Sequence, residues 1–218
     1  MTRADPLQEV RLQKRLGAAA EALAEGRLEV AQAEYSAILS EHPDHTAALR
    51  GMGVLQVRQG RLEEAQQTLR RAQALAPEDA GIWNDLGEAL RVAGKIEEAE
   101  AAFEAALALE PGHAQALNNL GVLRSQTDAG RARECFLAAI RAQPAYAHPY
   151  NNLGVLLERQ GHIEEALHCY EAAVVVQPDF QAALENYHNL LQRRPDLLAE
   201  SVQRLVRLAE GQTGAEAG

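Results

Sequence analysis

Lysine is nearly missing from this chain of 218 residues: Lys14 and Lys95 are the only two. Acidic residues number 31 against 21 basic ones, a formal net charge of −10, which excludes sequence-independent attraction to nucleic acid or anionic lipid. Aromatics make up only 4%, too few for a sheet-built core. Two cysteines cannot staple a chain this long. No apolar run approaches the roughly 20 residues of a membrane span, so no membrane insertion is expected. The opening Met1-Thr-Arg-Ala-Asp-Pro6 lacks the apolar stretch of a secretory signal, and a cytoplasmic location is expected. What the chain does have is alanine, about a fifth of all residues, within a hydrophobic share of 47%. That composition predicts closely packed helices.

Prolines fall at 43, 77, 111, 144 and 178, with gaps of 34, 34, 33 and 34 residues. A small residue recurs ahead of each: Ala19, Gly53, Gly87, Gly121 and Gly154. Twelve positions later stand Ala31, Ala65, Ala99, Ala132 (after one deletion) and Ala166. Four further on come Tyr35, Leu69, Phe103, Phe136 and Tyr170, and then Ile38, Ala72, Ala106, Ala139 and Ala173. Glycine in mid-helix costs about 1 kcal/mol relative to alanine, so its recurrence predicts a close helix–helix approach. A second glycine series, Gly26, Gly60, Gly94 and Gly161, falls where a first helix should end, the place for a left-handed cap. Acids then follow at Glu29, Glu63–Glu64, Glu97–Glu98 and Glu164–Glu165, where they complement the start of a second helix.

With Trp83-x2-Leu86-Gly87-x2-Leu90 and Tyr150-x2-Leu153-Gly154-x2-Leu157, this pattern resembles the tetratricopeptide repeat family. Five repeats are expected, 12–45, 46–79, 80–113, 114–146 and 147–180, after an N-terminal extension over 1–11. A degenerate sixth repeat and capping helix over 181–210 and a flexible tail over 211–218 complete the division. In the sixth, His188 takes the small-residue place and Pro195 the place of the turn glycine. Leu7, Val10 and Leu12 are expected to add a packed turn at the start. Leu197, Leu198, Val202, Leu205, Val206 and Leu208 are expected to shield the last apolar face. The fourth repeat loses one residue near Thr127–Gly130, and its turn should be distorted.

The resemblance implies an all-α fold, a right-handed superhelical solenoid of stacked antiparallel helix pairs whose first helices line a concave groove. In that register the sixth position of each repeat faces the groove and reads Gly17, Gly51, Asp85, Asn119, Asn152 and Asn186. An amide side chain both donates and accepts, so such a ladder can hold a peptide backbone whatever its side chains. The same residues can equally serve the neighbouring helix. The candidate groove residues are Arg50, Val54, Asp85, Glu88, Asn118, Asn119, Asn151, Asn152, Asn186 and Asn189. The N-terminal lining, with Leu16, Ala20 and Leu23, is the more apolar. The C-terminal lining, with Gln126, Glu158 and Arg159, is the more polar. Chaperone-type members clamp a terminal carboxylate with Lys, Arg and Asn. Here Arg50 is followed by Val54 and Asp85 where that clamp needs Asn, so the clamp is missing.

No cofactor is expected. The histidines form no H-x-x-x-H pair, the cysteines form no C-x-x-C pair, and a structural zinc wants four ligands. His162 stands where sister repeats carry Arg27, Arg61 and Lys95, a surface position. Cys135 and Cys169 hold one position in adjacent repeats, about 10 Å apart, beyond the ~7 Å reach of a disulfide. Phosphate loops and nucleophile elbows are absent, and the recurring acid pairs read as helix starts, so no enzyme is expected. The sequence thus points to a non-catalytic scaffold binding a protein or peptide partner through the Asn ladder, with no nucleic acid as ligand. The alternatives are a substrate-recognition arm of an enzyme system such as a protein glycosyltransferase, and a self-assembling homo-oligomeric scaffold.

Overall fold

The computed structural model describes residues 6–215, with side chains over 10–206. These residues form twelve α-helices and one 3-10 turn, with no strand among them. Two compact units divide the chain, 1–111 and 112–218.

The first unit holds α1 (Pro6–Ala24), α2 (Leu28–Glu41), α3 (Thr46–Arg58), α4 (Leu62–Leu75), α5 (Ala80–Val92) and α6 (Ile96–Leu109). The helices pack as the pairs α1–α2, α3–α4 and α5–α6. Each second helix also meets the first helix of the next pair, and α1, α3 and α5 touch in a row. Tyr35, Ile38, Met52 and Leu55 close one core cluster with Ala19, Ala22 and Leu23. Leu12 packs against that cluster, whereas Val10 is 66% exposed and adds nothing to the expected extra turn. The side chain of Leu7 lies outside the described residues.

The second unit holds α7 (Ala114–Arg124), α8 (Ala129–Ala142), α9 (Ala147–Arg159), α10 (Ile163–Val176), α11 (Gln181–Arg193), a 3-10 turn (Pro195–Leu197) and α12 (Leu198–Ala215). The pairs α7–α8 and α9–α10 repeat the arrangement, and α10 meets both α11 and α12. Of the segment 211–218 expected as a tail, α12 takes in residues to Ala215, and 216–218 lie outside the described residues.

The repeat glycines explain the pair geometry. A Cβ built on Gly53 would stand 2.5 Å from Leu69, and on Gly87 or Gly121 it would stand 2.6 Å from Phe103 or Phe136. Opposite them Ala31, Ala65, Ala99, Ala132 and Ala166 are all wholly buried. The pairs α3–α4, α5–α6, α7–α8 and α9–α10 each rest a large ring or branched side chain on a bare backbone, whereas α1–α2 has Ala19 at that place. The turn glycines have φ between 74° and 84°, and the residue after each donates its N–H five residues back, as Arg61 does to Gln56 O at 2.9 Å. These are left-handed C-caps that satisfy orphan carbonyls at the helix end.

The fourth repeat departs as expected. α7 has 11 residues where α3, α5 and α9 have 13. Asp128 replaces the glycine cap by bonding its N–H to Arg124 O at 2.8 Å and accepting from Arg131 N at 3.0 Å.

At the end of the second unit Leu197 is buried and Leu205 packs on the core. Leu198, Val202 and Val206, expected to join them, are about half exposed. Their i, i+4, i+8 spacing makes them one row of α12, about 100° around the helix from the inward row of Ser201 and Leu205. Leu208 lies beyond the described side chains. Tyr187 and Ser201 share a buried 2.8 Å hydrogen bond. Arg204 donates twice, at 2.9 and 3.1 Å, to Glu171, which is 2% exposed.

Candidate binding groove

The residues expected along the groove sit on α3 and α5 in the first unit and on α7, α9 and α11 in the second. The structure resolves them into two layers. Asn118 and Asn151, at the fifth position of their repeats, are buried at 4% and 6% exposure. Asn119, Asn152 and Asn186, at the sixth position, are half-buried at the surface. The layers are bonded to each other across repeats: Asn152 Nδ2 donates to Asn118 Oδ1, and Asn186 Nδ2 to Asn151 Oδ1, each at 2.9 Å. Arg50 and Asp85 hold the same two positions in the first unit and form the same rung as an ion pair, with Arg50 Nε donating to Asp85. Asn84 Nδ2 also donates to Asp85, at 3.2 Å.

This rung gives each partner its orientation. Gly81 leaves room for the Arg50 guanidinium, since a Cβ there would stand 2.5 Å from a terminal nitrogen. Burial works against the Arg50 charge, and the carboxylates of Asp85 and Asp79 outweigh it, so its pKa lies above the usual value. Glu88 is taken up by Arg91 one turn later, through two bonds of 2.8 Å. Val54 is half-buried against the first core cluster. Asn189 is exposed.

In the second unit the C-terminal part of this face opens into a polar cavity of about 370 Å³, lined by Glu158, Asn186, Asn189, Gln192 and Arg193. Glu158 accepts from Arg193 and, at 2.8 Å, from the Tyr170 hydroxyl. Burial first, then the Glu158 carboxylate, raises the Tyr170 pKa, so this phenol stays protonated.

Several features escaped the sequence reading. His45 and His113 cap α3 and α7, each Nδ1 accepting a backbone N–H three residues on, at 3.3 and 3.2 Å. The signal was present, because Asp79 stands at the same repeat position and caps α5. Arg58, Arg91, Arg124, Arg159 and Arg193 each end a first helix, where a cation meets the negative end of the helix dipole. Arg61 and Lys95, just before second helices, reach back to Gln32 and Gln66 of the preceding repeat. Both cysteines are free thiols, and burial foremost pushes that of Cys169 up to about 11. Among the described residues no cluster of His, Cys, Asp and Glu could hold a metal ion.

Stacked helix pairs with this cap and this small-against-large packing define a helical repeat scaffold. Models of the tetratricopeptide repeat match residues 22–90, 80–113 and 147–180, and the chain belongs to that family. It is accordingly a protein–protein interaction scaffold. No curated protein is significantly similar in sequence. Among solved structures, TTC0263, a thermophilic TPR protein of Thermus thermophilus, superposes with a TM-score of 0.75 at 21% identity, over 83% of this chain and 99% of that one. PilF of Pseudomonas aeruginosa gives 0.72 at 20% identity over 95% and 98%. YrrB, described as a TPR protein with an unusual peptide-binding site, gives 0.53 at 23% identity over 78% and 89%. At these identities the likeness is one of fold. No helix among the described residues is long and apolar enough to cross a membrane.

Proposed function

We propose that the chain is a non-catalytic cytoplasmic scaffold that holds extended peptide segments of partner proteins along the face of its first helices. The observation that carries this reading is the bonding of Asn152 and Asn186. Each spends one N–H on the buried amide below it. An amide has a second N–H and a carbonyl oxygen, and the rung fixes both before any ligand arrives. Preorganised groups lose little freedom on binding. An extended chain offers N–H and C=O groups that pair with such amides, and the exposed Asn189 and the polar cavity beside Asn186 continue the row. YrrB, with its peptide-binding site, lends the reading support by analogy.

The test is an affinity capture read by mass spectrometry, comparing wild type with Asn189→Ala/Gln192→Ala. Neither side chain is part of a rung, so the variant should melt as wild type does. Partners lost only from the variant support the groove. Partners retained by both move binding elsewhere on the molecule.

A further inference from the structure

The ladder position of the second repeat is Gly51, yet the space of the missing side chain is filled. A Cβ built on Gly51 would stand 2.5 Å from the hydroxyl oxygen of Tyr35, which belongs to α2. Two exchanges in the sequence bring the phenol there. Leu69, Phe103, Phe136 and Tyr170 hold the same repeat position as Tyr35, and each lies on a glycine in the first helix of its own pair. The first repeat has the wholly buried Ala19 at that place, so the Tyr35 ring has no bare backbone in α1. It finds one in α3, at Gly51, where later repeats carry Asp85, Asn119, Asn152 and Asn186.

The ring is buried, at 3% exposure, and its hydroxyl has no hydrogen-bond partner among the described residues. Buried polar groups are as a rule paired. The counterpart Tyr170 donates to Glu158, but Leu23 holds the place of that carboxylate in the first repeat. Asp85 is bonded by Arg50 from the fifth position of the preceding repeat, whereas the fifth position ahead of Gly51 is Leu16. Among the described residues the one polar side-chain atom that is both shut off from solvent and unpartnered is Gln56 Oε1, so the Tyr35 oxygen opens to the surface. Gly51 is only half-buried, and a Cβ on Gly17, the ladder position of the first repeat, would meet nothing within 4 Å. Burial raises the Tyr35 pKa, which keeps the proton on the oxygen near neutral pH.

We propose that Tyr35 stands in for the absent side chain of Gly51 and is a ligand contact: its hydroxyl donates a hydrogen bond to a backbone carbonyl of an extended peptide segment lying along α1, α3 and α5. This role rests on the peptide-holding function proposed above and assigns one of its contacts to a second helix. Asn152 and Asn186 each spend a donor on their rungs, whereas Tyr35 brings its only donor to the ligand unspent.

Tyr35→Phe keeps the ring and removes only the oxygen. It should melt as wild type does, whereas Tyr170→Phe, which breaks the bond to Glu158, should melt at a lower temperature. The binding probe is an array of synthetic decapeptides of random sequence, with the tightest binder then titrated in solution. Tyr35→Phe should bind that peptide about threefold to tenfold more weakly. In a heteronuclear spectrum of protein labelled in its tyrosine rings, the signal missing from Tyr35→Phe belongs to Tyr35, and it should shift as the peptide is added to wild type. Undiminished affinity in Tyr35→Phe beside weakened binding in Asn189→Ala/Gln192→Ala would overturn the contact and leave the groove standing. Undiminished affinity in both variants, or no binding peptide at all, would remove the groove reading and this contact with it. A lower melting temperature in Tyr35→Phe would make the hydroxyl structural and likewise sink the proposal.

Discussion

The amide of Asn186 donates to Oδ1 of Asn151, one repeat earlier and 6% exposed, at 2.9 Å. Asn152 bonds Asn118 in the same way, and Arg50 with Asp85 forms the ionic version of the same rung. These side chains fasten α3 to α5 in the first unit, and α7 to α9 and α9 to α11 in the second, while keeping a polar edge outward. A residue in this ladder therefore holds neighbouring repeats together, which sets what its removal does.

Asn186→Ala leaves the buried Asn151 oxygen without its donor, and should cost about 1–3 kcal/mol of stability. Asn189→Ala, exposed and outside the rungs, should stay within about 0.5 kcal/mol. Chemical denaturation of the two variants side by side checks this, and equal midpoints would break the argument.

Gly154→Ala places a Cβ 2.6 Å from the Tyr170 ring and 3.2 Å from Ala166 O. Tyr170 is tied to Glu158 through its hydroxyl, so the ring has little room to retreat. The expected cost is about 1–3 kcal/mol. At Gly87 the facing ring is Phe103, and Phe103→Leu should recover part of the loss in Gly87→Ala, as a double-mutant cycle would measure.

Ala99→Leu and Ala166→Leu, both at wholly buried positions, should each overpack a helix pair by about 1–3 kcal/mol. Melting temperatures equal to wild type would place the repeat register one step off.

Cys169, its thiol raised to about 11 by burial and the nearby Glu165, should alkylate far more slowly in the native protein than in the unfolded chain near neutral pH. The native rate should climb only as the pH approaches that value. Timed iodoacetamide labelling followed by peptide mapping reads both.

His148 stacks on Phe180 with ring centroids 4.5 Å apart, and burial lowers its pKa below the usual 6.5. The folded state then binds fewer protons than the unfolded state between the two values, so stability rises with pH there. This contribution is complete above about pH 6.5 and lost as the pH falls through the folded value. His148→Phe keeps the stack and should flatten that part of the stability–pH curve, as denaturation at a series of pH values would reveal.

The helix pairs were legible because each repeat states the same solution again. Gly53, Gly87 and Gly121 make sense only beneath large neighbours, and Gly26, Gly60 and Gly94 only at positive φ. The tie of Asn152 to Asn118 was not legible, because the period sets the fifth and sixth positions of successive first helices near one another without saying which of them is buried. His45 and His113 were passed over as caps because histidine is an uncommon choice there. The outward turn of Leu198, Val202 and Val206 was missed by counting apolar residues along α12 without assigning them to a face.

Glu171 is a buried carboxylate whose bidentate partner, Arg204, arrives from the last helix. Closure of this end therefore depends on charge balance as well as on an oily lid. A chain stopped just before Arg204 would retain Leu197 and Ser201 but strand an anion in the interior, where a lone charge is far costlier than a missing methyl group. Stability at this end is tied to one guanidinium, and deletions should show a step in melting temperature at that residue where a purely apolar lid would give a gradual decline.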